Sequence, residues 1–251
     1  MKRASAILLL ALILAGCGRR GALVPPEGLV PAPVGSLQLM QRGAELELSW
    51  TAPKRMESGK KLNDLTGFRV LRHEVLPPAE ECAACPENWR LLKEISLEYL
   101  QGVEKTGDRF LLRDGGLAVG TIWQYRLSPV NRDGASGRAV TTLRRTVRPP
   151  LSPPRLKAVA TPFAIRLDLA ADGLPPGASL DGFTIYRVKV GEALPLLPIN
   201  AEPVAGPLFE DSGLEQGVSY AYSAGMRLTL EGEQLESLLS KPVSASLAEP
   251  D

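Results

Sequence analysis

The sequence contains few of the residues that enzymes and metal sites commonly use. Its 251 residues include one histidine, His73, and three cysteines, and aromatic residues make up only 5%. Neither a Gly-x-Ser-x-Gly motif nor a His-Glu-x-x-His motif occurs. We therefore expect no catalytic residue, no metal site and no cofactor, and we interpret His73 as a surface residue near a strand end.

The chain also lacks an excess of either charge. Its 29 basic and 28 acidic residues leave a net charge of +1, so no overall field attracts nucleic acid or an anionic bilayer. It is rich instead in turn residues, with 24 glycines and 22 prolines, and 44% of its residues are hydrophobic. This composition favours many short strands over long helices.

The first residues are typical of an export signal. A basic start and an apolar run over residues 4–13 are followed at once by Leu-Ala-Gly-Cys17. The run is shorter than the roughly 20 apolar residues of a spanning helix. Leu-Ala-Gly-Cys resembles the lipobox of bacterial lipoproteins, which implies that residues 1–16 are a signal peptide and that Cys17 is acylated. In that family, Gly18 after the cysteine implies sorting to the outer membrane.

Two proline-rich stretches divide the rest of the chain. Residues 17–33 predict a tether, because proline disrupts helices and central strands. Residues 149–154 predict a short, stiff linker that restricts the orientation of what it joins. The sequence therefore predicts a first domain over 34–148 and a second domain over 155–248.

A repeated frame relates the two domains. Residues 117–125 and 214–222 share the pattern Leu-x-x-Gly-x-x-aromatic-x-Tyr, and the step from 117 to 214 is an offset of 97 residues. An aspartate precedes each copy at the same distance, Asp114 in the first and Asp211 in the second. We interpret the copies as the same β-sandwich corner, and we expect each aspartate to hold its turn through Asx-type hydrogen bonds.

A second repeated phrase locates an insertion in the first domain. The pattern Leu-x-Gly-Phe-x-aliphatic-x-Arg begins at Leu65 and again at Leu180, an offset of 115 residues. Since the corner repeats after 97, the first domain holds 18 extra residues between the two landmarks, and Cys82-Ala-Ala-Cys85 lies among them. In an oxidising compartment a disulfide is expected, contributing about 2 kcal/mol. An intermolecular metal or redox role and unpaired thiols are the alternatives.

These patterns resemble fibronectin type III domains. The features are Leu-Ser-Trp50 early in the domain, the Phe-x-aliphatic-x-Arg phrase, and an Asp-x-Gly-Leu-x-x-Gly-x-x-Tyr-x-Tyr corner. The resemblance implies an all-β chain of two tandem immunoglobulin-like sandwiches, in which the hydroxyl of corner residue Tyr220 bonds back to the backbone. Trp123 holds that position in the first domain and would use its indole N–H instead. Tyr125 and Tyr222 end the two corner frames.

Charged residues outside the repeats are interpreted as surface features. Arg144, Arg145 and their basic neighbours Arg138 and Arg148 favour an exposed edge whose charge discourages aggregation. A contact with lipid A or an acidic polysaccharide is the alternative. The segment containing Glu231 and Glu233 is interpreted as a solvated turn.

Taken together, the sequence predicts a non-enzymatic, membrane-anchored lipoprotein that binds an envelope protein or polysaccharide, or acts as a spacer. An alternative comes from Cys17 to Pro26. This segment is similar to the Cys-Gly-x-Lys-Gly-Pro-Leu start of small lipoproteins that assist maturation of the outer-membrane lipopolysaccharide transporter. That similarity implies an envelope assembly factor. A redox or metal-linked role of Cys82 and Cys85 is the remaining alternative.

Overall fold

The computed structural model describes residues 26–79 and 88–249, and this part of the chain is built from short β-strands. A single turn of 3-10 helix, Pro26–Leu29, precedes the first strand. The strands of the first domain are β1 (Gly35–Arg42), β2 (Glu45–Thr51), β3 (Leu65–Glu74), β4 (Arg90–Ser96), β5 (Val103–Thr106), β6 (Arg109–Asp114), β7 (Ile122–Asn131), β8 (Val140–Thr141) and β9 (Arg145–Thr146). Those of the second domain are β10 (Arg155–Ala160), β11 (Ala164–Ala170), β12 (Ser179–Lys189), β13 (Leu208–Ser212), β14 (Tyr220–Leu230), β15 (Glu233–Glu236) and β16 (Val243–Ala245).

Each domain is a sandwich of two antiparallel layers. In the first domain, one layer has the order β1-β2-β6-β5, and the other has the order β4-β3-β7 with β8 and β9 both pairing with β7. In the second domain, β10-β11-β13 face β12-β14, and β15 and β16 both pair with β14. The predicted fold class, all-β with two tandem immunoglobulin-like sandwiches, is confirmed.

Aromatic side chains fill the core of the first sandwich. Trp50 is fully buried and stacks on Phe110, with ring centroids 5.6 Å apart. Phe68 packs edge-on against both rings, at 5.4 and 5.0 Å. Leu46 and Leu48 share the inward face of β2 with Trp50, as the alternation predicts. Such aromatic pairs contribute about 0.5–1.5 kcal/mol each beyond the area they bury.

The second core is aliphatic where the first has its tryptophan. Ile165, Leu167 and Leu169 line the inward face of β11, and all three are buried. They pack with Phe183 and Ile185 of β12. The two sandwiches therefore share a strand plan and the equivalent core residues Phe68 and Phe183, but they differ at the position of Trp50, which is consistent with period-two patterning as the main determinant of the fold.

One sheet continues from the first domain into the second. Gln41 pairs with Leu235, and Arg42 pairs with Glu236, so that β1 and β15 lie parallel to each other. This contact joins two layers into a single eight-stranded sheet that contains strands of both domains. The sequence predicts a solvated turn around Glu231 and Glu233, whereas Glu233 begins strand β15.

The repeated Leu-x-Gly-Phe phrase marks a bulge in β3 and in β12. The pairing register shifts between Leu65 and Gly67 and, at the equivalent place, between Leu180 and Gly182. A Cβ atom at Gly67 would lie 2.0 Å from the carbonyl oxygen of Ile95, so the backbones approach too closely for any side chain. The glycine is therefore required by the close approach of β4.

Replacing Gly67 with alanine is expected to destabilise the protein, because the added methyl group collides with backbone rather than with a flexible side chain. We expect Gly67→Ala to lower the free energy of unfolding by about 1–3 kcal/mol. Urea denaturation followed by tryptophan fluorescence measures this. Gly206→Ala is the matched control, since a Cβ there meets no atom within 4 Å. Equal stability of the two variants would contradict the close approach.

Candidate functional site

The repeated corner of the first domain holds an Arg–Asp–Tyr triad whose carboxylate and phenol are buried. Arg72 of β3 donates from Nη1 to both carboxylate oxygens of Asp114, at 2.8 and 2.9 Å. Tyr125 of β7 donates its hydroxyl to Oδ2 of the same carboxylate at 2.7 Å. The triad therefore ties both layers together, because Asp114 ends β6 while its two partners lie in the facing layer.

The second domain repeats this triad at the same distances. Arg187 donates to the two oxygens of Asp211 at 2.8 and 2.9 Å, and the Tyr222 hydroxyl donates to Asp211 at 2.7 Å. The expected Asx-type role of Asp114 and Asp211 is thus corrected. Their carboxylates accept hydrogen bonds from an arginine and a tyrosine of the opposite layer. The arginine is the last residue of the Leu-x-Gly-Phe-x-aliphatic-x-Arg pattern, which lies on β3 in the first domain and on β12 in the second.

The first aromatic of each frame adds a further contact. The Tyr220 hydroxyl accepts a hydrogen bond from the backbone N–H of Glu215 at 3.2 Å, which is the contact that the resemblance implies. Trp123 instead donates its indole N–H to the side-chain oxygen of Thr121 at 2.8 Å. In the first domain, the Arg72 guanidinium lies 5.1 Å from the Trp123 ring centroid. In the second domain, the Arg187 guanidinium lies 5.6 Å from the Tyr220 ring centroid.

The triads keep their phenols neutral. Burial, followed by the hydrogen bond to Asp114, raises the pKa of Tyr125 well above its ordinary value. Burial and the hydrogen bond to Asp211 raise the pKa of Tyr222 in the same way. The arginine, the carboxylate and the phenol of each triad also bind one another. We therefore regard both triads as structural.

A row of alternating charges crosses the boundary between the domains, and we call it the charge ladder. It consists of Glu236 on β15, Arg42 on β1, Glu47 on β2, Arg113 on β6 and Glu104 on β5. Arg42 Nη2 lies 3.0 Å from Glu236, and Arg42 Nε lies 3.6 Å from Glu47. Arg113 Nε lies 3.4 Å from Glu47, and its Nη1 pairs with Glu104.

The centre of the charge ladder is buried. The side chain of Glu236 is 0% exposed, that of Glu47 is 6% exposed, and that of Arg42 is 16% exposed. Thr184 donates its hydroxyl to Glu236, and Tyr186 accepts a hydrogen bond from Arg42 at 2.8 Å. Burial alone would lower the pKa of Arg42, but the two carboxylates outweigh it and raise that pKa. Burial raises the pKa of Glu47.

These pairs fix the orientation of one domain on the other more than they add stability. A buried ion pair gains little net free energy over an apolar contact, but removing one member leaves a buried charge without a partner. An altered domain orientation that kept Glu236 buried would separate it from Arg42. The charge ladder therefore disfavours alternative packings of the two domains.

Hydrogen bonds next to the linker complete the boundary between the domains. We call these hydrogen bonds, the charge ladder and the β1–β15 pair together the seam. Gln41 donates from Nε2 to the Arg148 carbonyl oxygen at 2.7 Å and accepts from the Arg148 N–H at 2.8 Å. The Arg145 Nε donates to the Leu39 carbonyl oxygen at 3.0 Å. Arg148 also pairs with Glu231.

Several charged residues therefore have roles that differ from the expectation for exposed edges and turns. Arg145 and Arg148 form hydrogen bonds at the seam. Arg144 is exposed, and the Arg138 side chain is 76% exposed and lies 3.7 Å from Glu57. Glu233 accepts a hydrogen bond from the backbone N–H of Thr146 at 3.3 Å. The expectation fails because β15 lies against the end of the first domain, a long-range contact with no local sequence signal.

His73 is buried rather than on the surface, so that expectation is also corrected. The residue is only 2% exposed and lies within β3, opposite Gln124 of β7. Its Nδ1 is 3.1 Å from the Asn88 carbonyl oxygen, and its ring centroid is 5.3 Å from that of Trp89. Asn88 and Trp89, which directly precede β4, therefore lie against the imidazole.

The cysteines and the leader lie outside the described residues. The structure therefore does not describe Cys17, Cys82 or Cys85, and the acylation of Cys17 and the disulfide between Cys82 and Cys85 remain predictions. Within residues 26–79 and 88–249, no three His, Cys, Asp or Glu side chains are grouped so that they could hold a metal ion. No helix in that part of the chain is long and apolar enough to cross a membrane.

Comparisons with known proteins find similarity at the level of solved structures. No protein-family model matches the chain, and no curated protein sequence matches it. The chain is similar to the FN1-FN3 domains of chicken CNTN1, with 12% identity over 90% of this chain and 71% of that one, at a TM-score of 0.37. It is also similar to the chicken interferon gamma receptor alpha chain, with 10% identity over 85% and 97%, at a TM-score of 0.30. The strand order within the chain itself defines two fibronectin type III-like sandwiches.

Removing one hydroxyl from the triad tests its structural role. We expect Tyr125→Phe to lower the free energy of unfolding by about 1.5–3 kcal/mol, the range for hydrogen bonds to charged groups. Tyr99→Phe is the matched control, because Tyr99 is 72% exposed and the same atom is removed. Urea denaturation of both variants gives the comparison. A Tyr125→Phe protein as stable as the control would show that the triad is dispensable.

Removing the central cation tests the charge ladder. In Arg42→Ala, Glu236 and Glu47 lose their shared partner, and we expect a loss of about 3–5 kcal/mol in unfolding free energy or separate unfolding of the two domains. The control Arg155→Ala removes an arginine that is 71% exposed and paired with Asp172, with an expected loss below about 1 kcal/mol. Scanning calorimetry distinguishes them. A single transition at the wild-type temperature for Arg42→Ala would refute the role of the ladder.

Proposed function

We propose that the chain is an acylated lipoprotein of the cell envelope whose two sandwiches act together as a binding and spacing unit, without enzymatic activity. The observation that carries the proposal is the seam, where a single sheet contains strands of both domains and buried charges pair between them. A spacer must hold its far end in a defined direction. A strand-paired boundary supports this role better than a free linker does.

The direction of β1 supports an arrangement with the second domain farther from the membrane. The tether leads into β1 at Gly35, which pairs with Thr51, while the seam lies at Arg42. At about 3.3 Å per residue, the two ends of this strand are roughly 25 Å apart. With the acyl group on Cys17, the first domain stands between the bilayer and the second domain.

The leader supports the anchor. Its basic start, its apolar run and Leu-Ala-Gly-Cys17 occur in the order that export and acylation require. Several acyl chains, each stabilised by about 0.8 kcal/mol per buried methylene, hold a protein durably on a bilayer. Gly18 supports sorting to the outer membrane. The anchor and the spacer are thus two parts of one proposal, and they are tested separately.

The anchor is tested by replacing the acylated residue. We expect wild-type protein to incorporate labelled palmitate and to fractionate with the outer membrane, and Cys17→Ser to lose both properties. The double variant Cys82→Ser with Cys85→Ser is the control, because it also removes thiols but leaves the lipobox intact. Unlabelled wild-type protein, or Cys17→Ser protein that remains membrane-bound, would contradict the anchor.

The binding role is tested against the assembly alternative by crosslinking and pulldown. If the sandwiches carry the function, envelope partners are lost when residues 155–248 are deleted and kept when residues 18–26 are deleted. The opposite pattern would support the assembly factor and overturn the binding role. Thiol labelling of protein taken from the periplasm tests the Cys82 and Cys85 alternative, since stable oxidation with unchanged partner binding in the double serine variant leaves only a structural clip.

A further inference from the structure

The seam contains a groove lined by one arginine from each domain. Arg145 of β9 and Arg227 of β14 both border this cavity, whose volume is about 310 Å³. Both side chains are half-buried. Among residues 26–79 and 88–249, neither arginine has a carboxylate within ion-pair distance, whereas the half-buried Arg42, Arg72 and Arg187 all do. Two guanidinium groups thus border one cavity without a counter-charge of their own.

Arg227 has the greater unused capacity. Its Nε is buried without a hydrogen-bond partner, and its two amino groups likewise donate to no group within the described part of the chain, which leaves them for a ligand. A buried donor without a partner is costly, so such groups in native proteins usually have a structural or functional reason. Within residues 26–79 and 88–249, Arg145 donates only from its Nε, to the Leu39 carbonyl oxygen, which leaves its two amino groups for another acceptor. The groove therefore offers charged donors from both sides.

The remaining walls of the groove are polar with a small apolar part. Gln38, Ser49, Thr142 and Gln234 supply amide and hydroxyl groups, and Leu143 at its edge is 75% exposed. One carboxylate, that of Glu47, also borders the groove, but two arginines of the charge ladder lie 3.4 and 3.6 Å from it. The charge that remains unpaired in the groove is therefore positive.

We propose that this groove binds an acidic sugar unit, with its phosphate or carboxylate held by Arg145 and Arg227. Guanidinium groups match both oxyanions in geometry and charge. The neutral amides and hydroxyls suit sugar hydroxyl groups, and the volume is at the small end of the range for ligand pockets. This assignment rests on the binding role proposed above and names its ligand class. It is tested on the purified protein, independently of any envelope partner.

The test is calorimetric titration of the full chain, purified in non-ionic detergent, with four probes: glucose 6-phosphate, glucuronate, inorganic phosphate and glucose. We expect saturable binding of glucose 6-phosphate or glucuronate that weakens as salt rises. Inorganic phosphate lacks the hydroxyl groups and glucose lacks the charge, so both should bind at least about tenfold more weakly. Equal binding of inorganic phosphate and both acidic sugars would overturn the sugar assignment.

Variants locate the binding. Arg227→Gln should weaken binding of the acidic sugar about tenfold or more. It should also keep the wild-type melting temperature, because no hydrogen bond within the described residues depends on this side chain. Arg144→Gln, which changes the same charge on an exposed neighbour outside the groove, should bind as wild type does. Absence of saturable binding, or equal weakening by both variants, would overturn the proposal. Calorimetric binding of the acidic sugar does not depend on the pulldown of envelope partners, so a failure of one test is distinguishable from a failure of the other.

Discussion

The arrangement of the two domains depends on Arg42, the residue that pairs with Glu236 across the seam and with Glu47 within its own layer. All three side chains are largely buried, so their charges must be balanced in place. This requirement sets the register of β1 against β15, because Arg42 and Glu236 are themselves backbone partners. The hydrogen bonds between Gln41 and Arg148 hold the linker in the same position.

The triads stabilise each domain separately, whereas the charge ladder joins the two domains. Each Arg–Asp–Tyr triad lies within one sandwich and ties its two layers, so it would serve a single domain equally well. The charge ladder exists only where the domains meet, and so does the groove that Arg145 and Arg227 border. A duplicated domain thus has a duplicated corner, whereas the features that belong to the pair of domains occur once.

The predictability of each feature follows the distance between the residues that form it. The alternation of Leu46, Leu48 and Trp50 along β2 predicts their burial, because a period of two is a local signal, and all three are buried. The arginine that binds Asp114, Arg72, lies 42 residues away, and the second-domain partner of Arg42, Glu236, lies 194 residues away. Neither pairing was predicted. His73 is buried and contacts Asn88, 15 residues further along the chain, and a contact of this kind has no periodic pattern either.

A direct test of the fixed domain orientation is a distance distribution between the domains in solution. Genetically encoded spin labels at Lys60 and Glu192, both exposed and one in each domain, leave the native cysteines untouched. Pulsed electron resonance on the full chain in detergent then reports the distances that the two domains sample. A single narrow distribution, broadened by Arg42→Ala, is the result that a strand-paired, charge-balanced seam predicts. A broad distribution in the wild-type protein would contradict it.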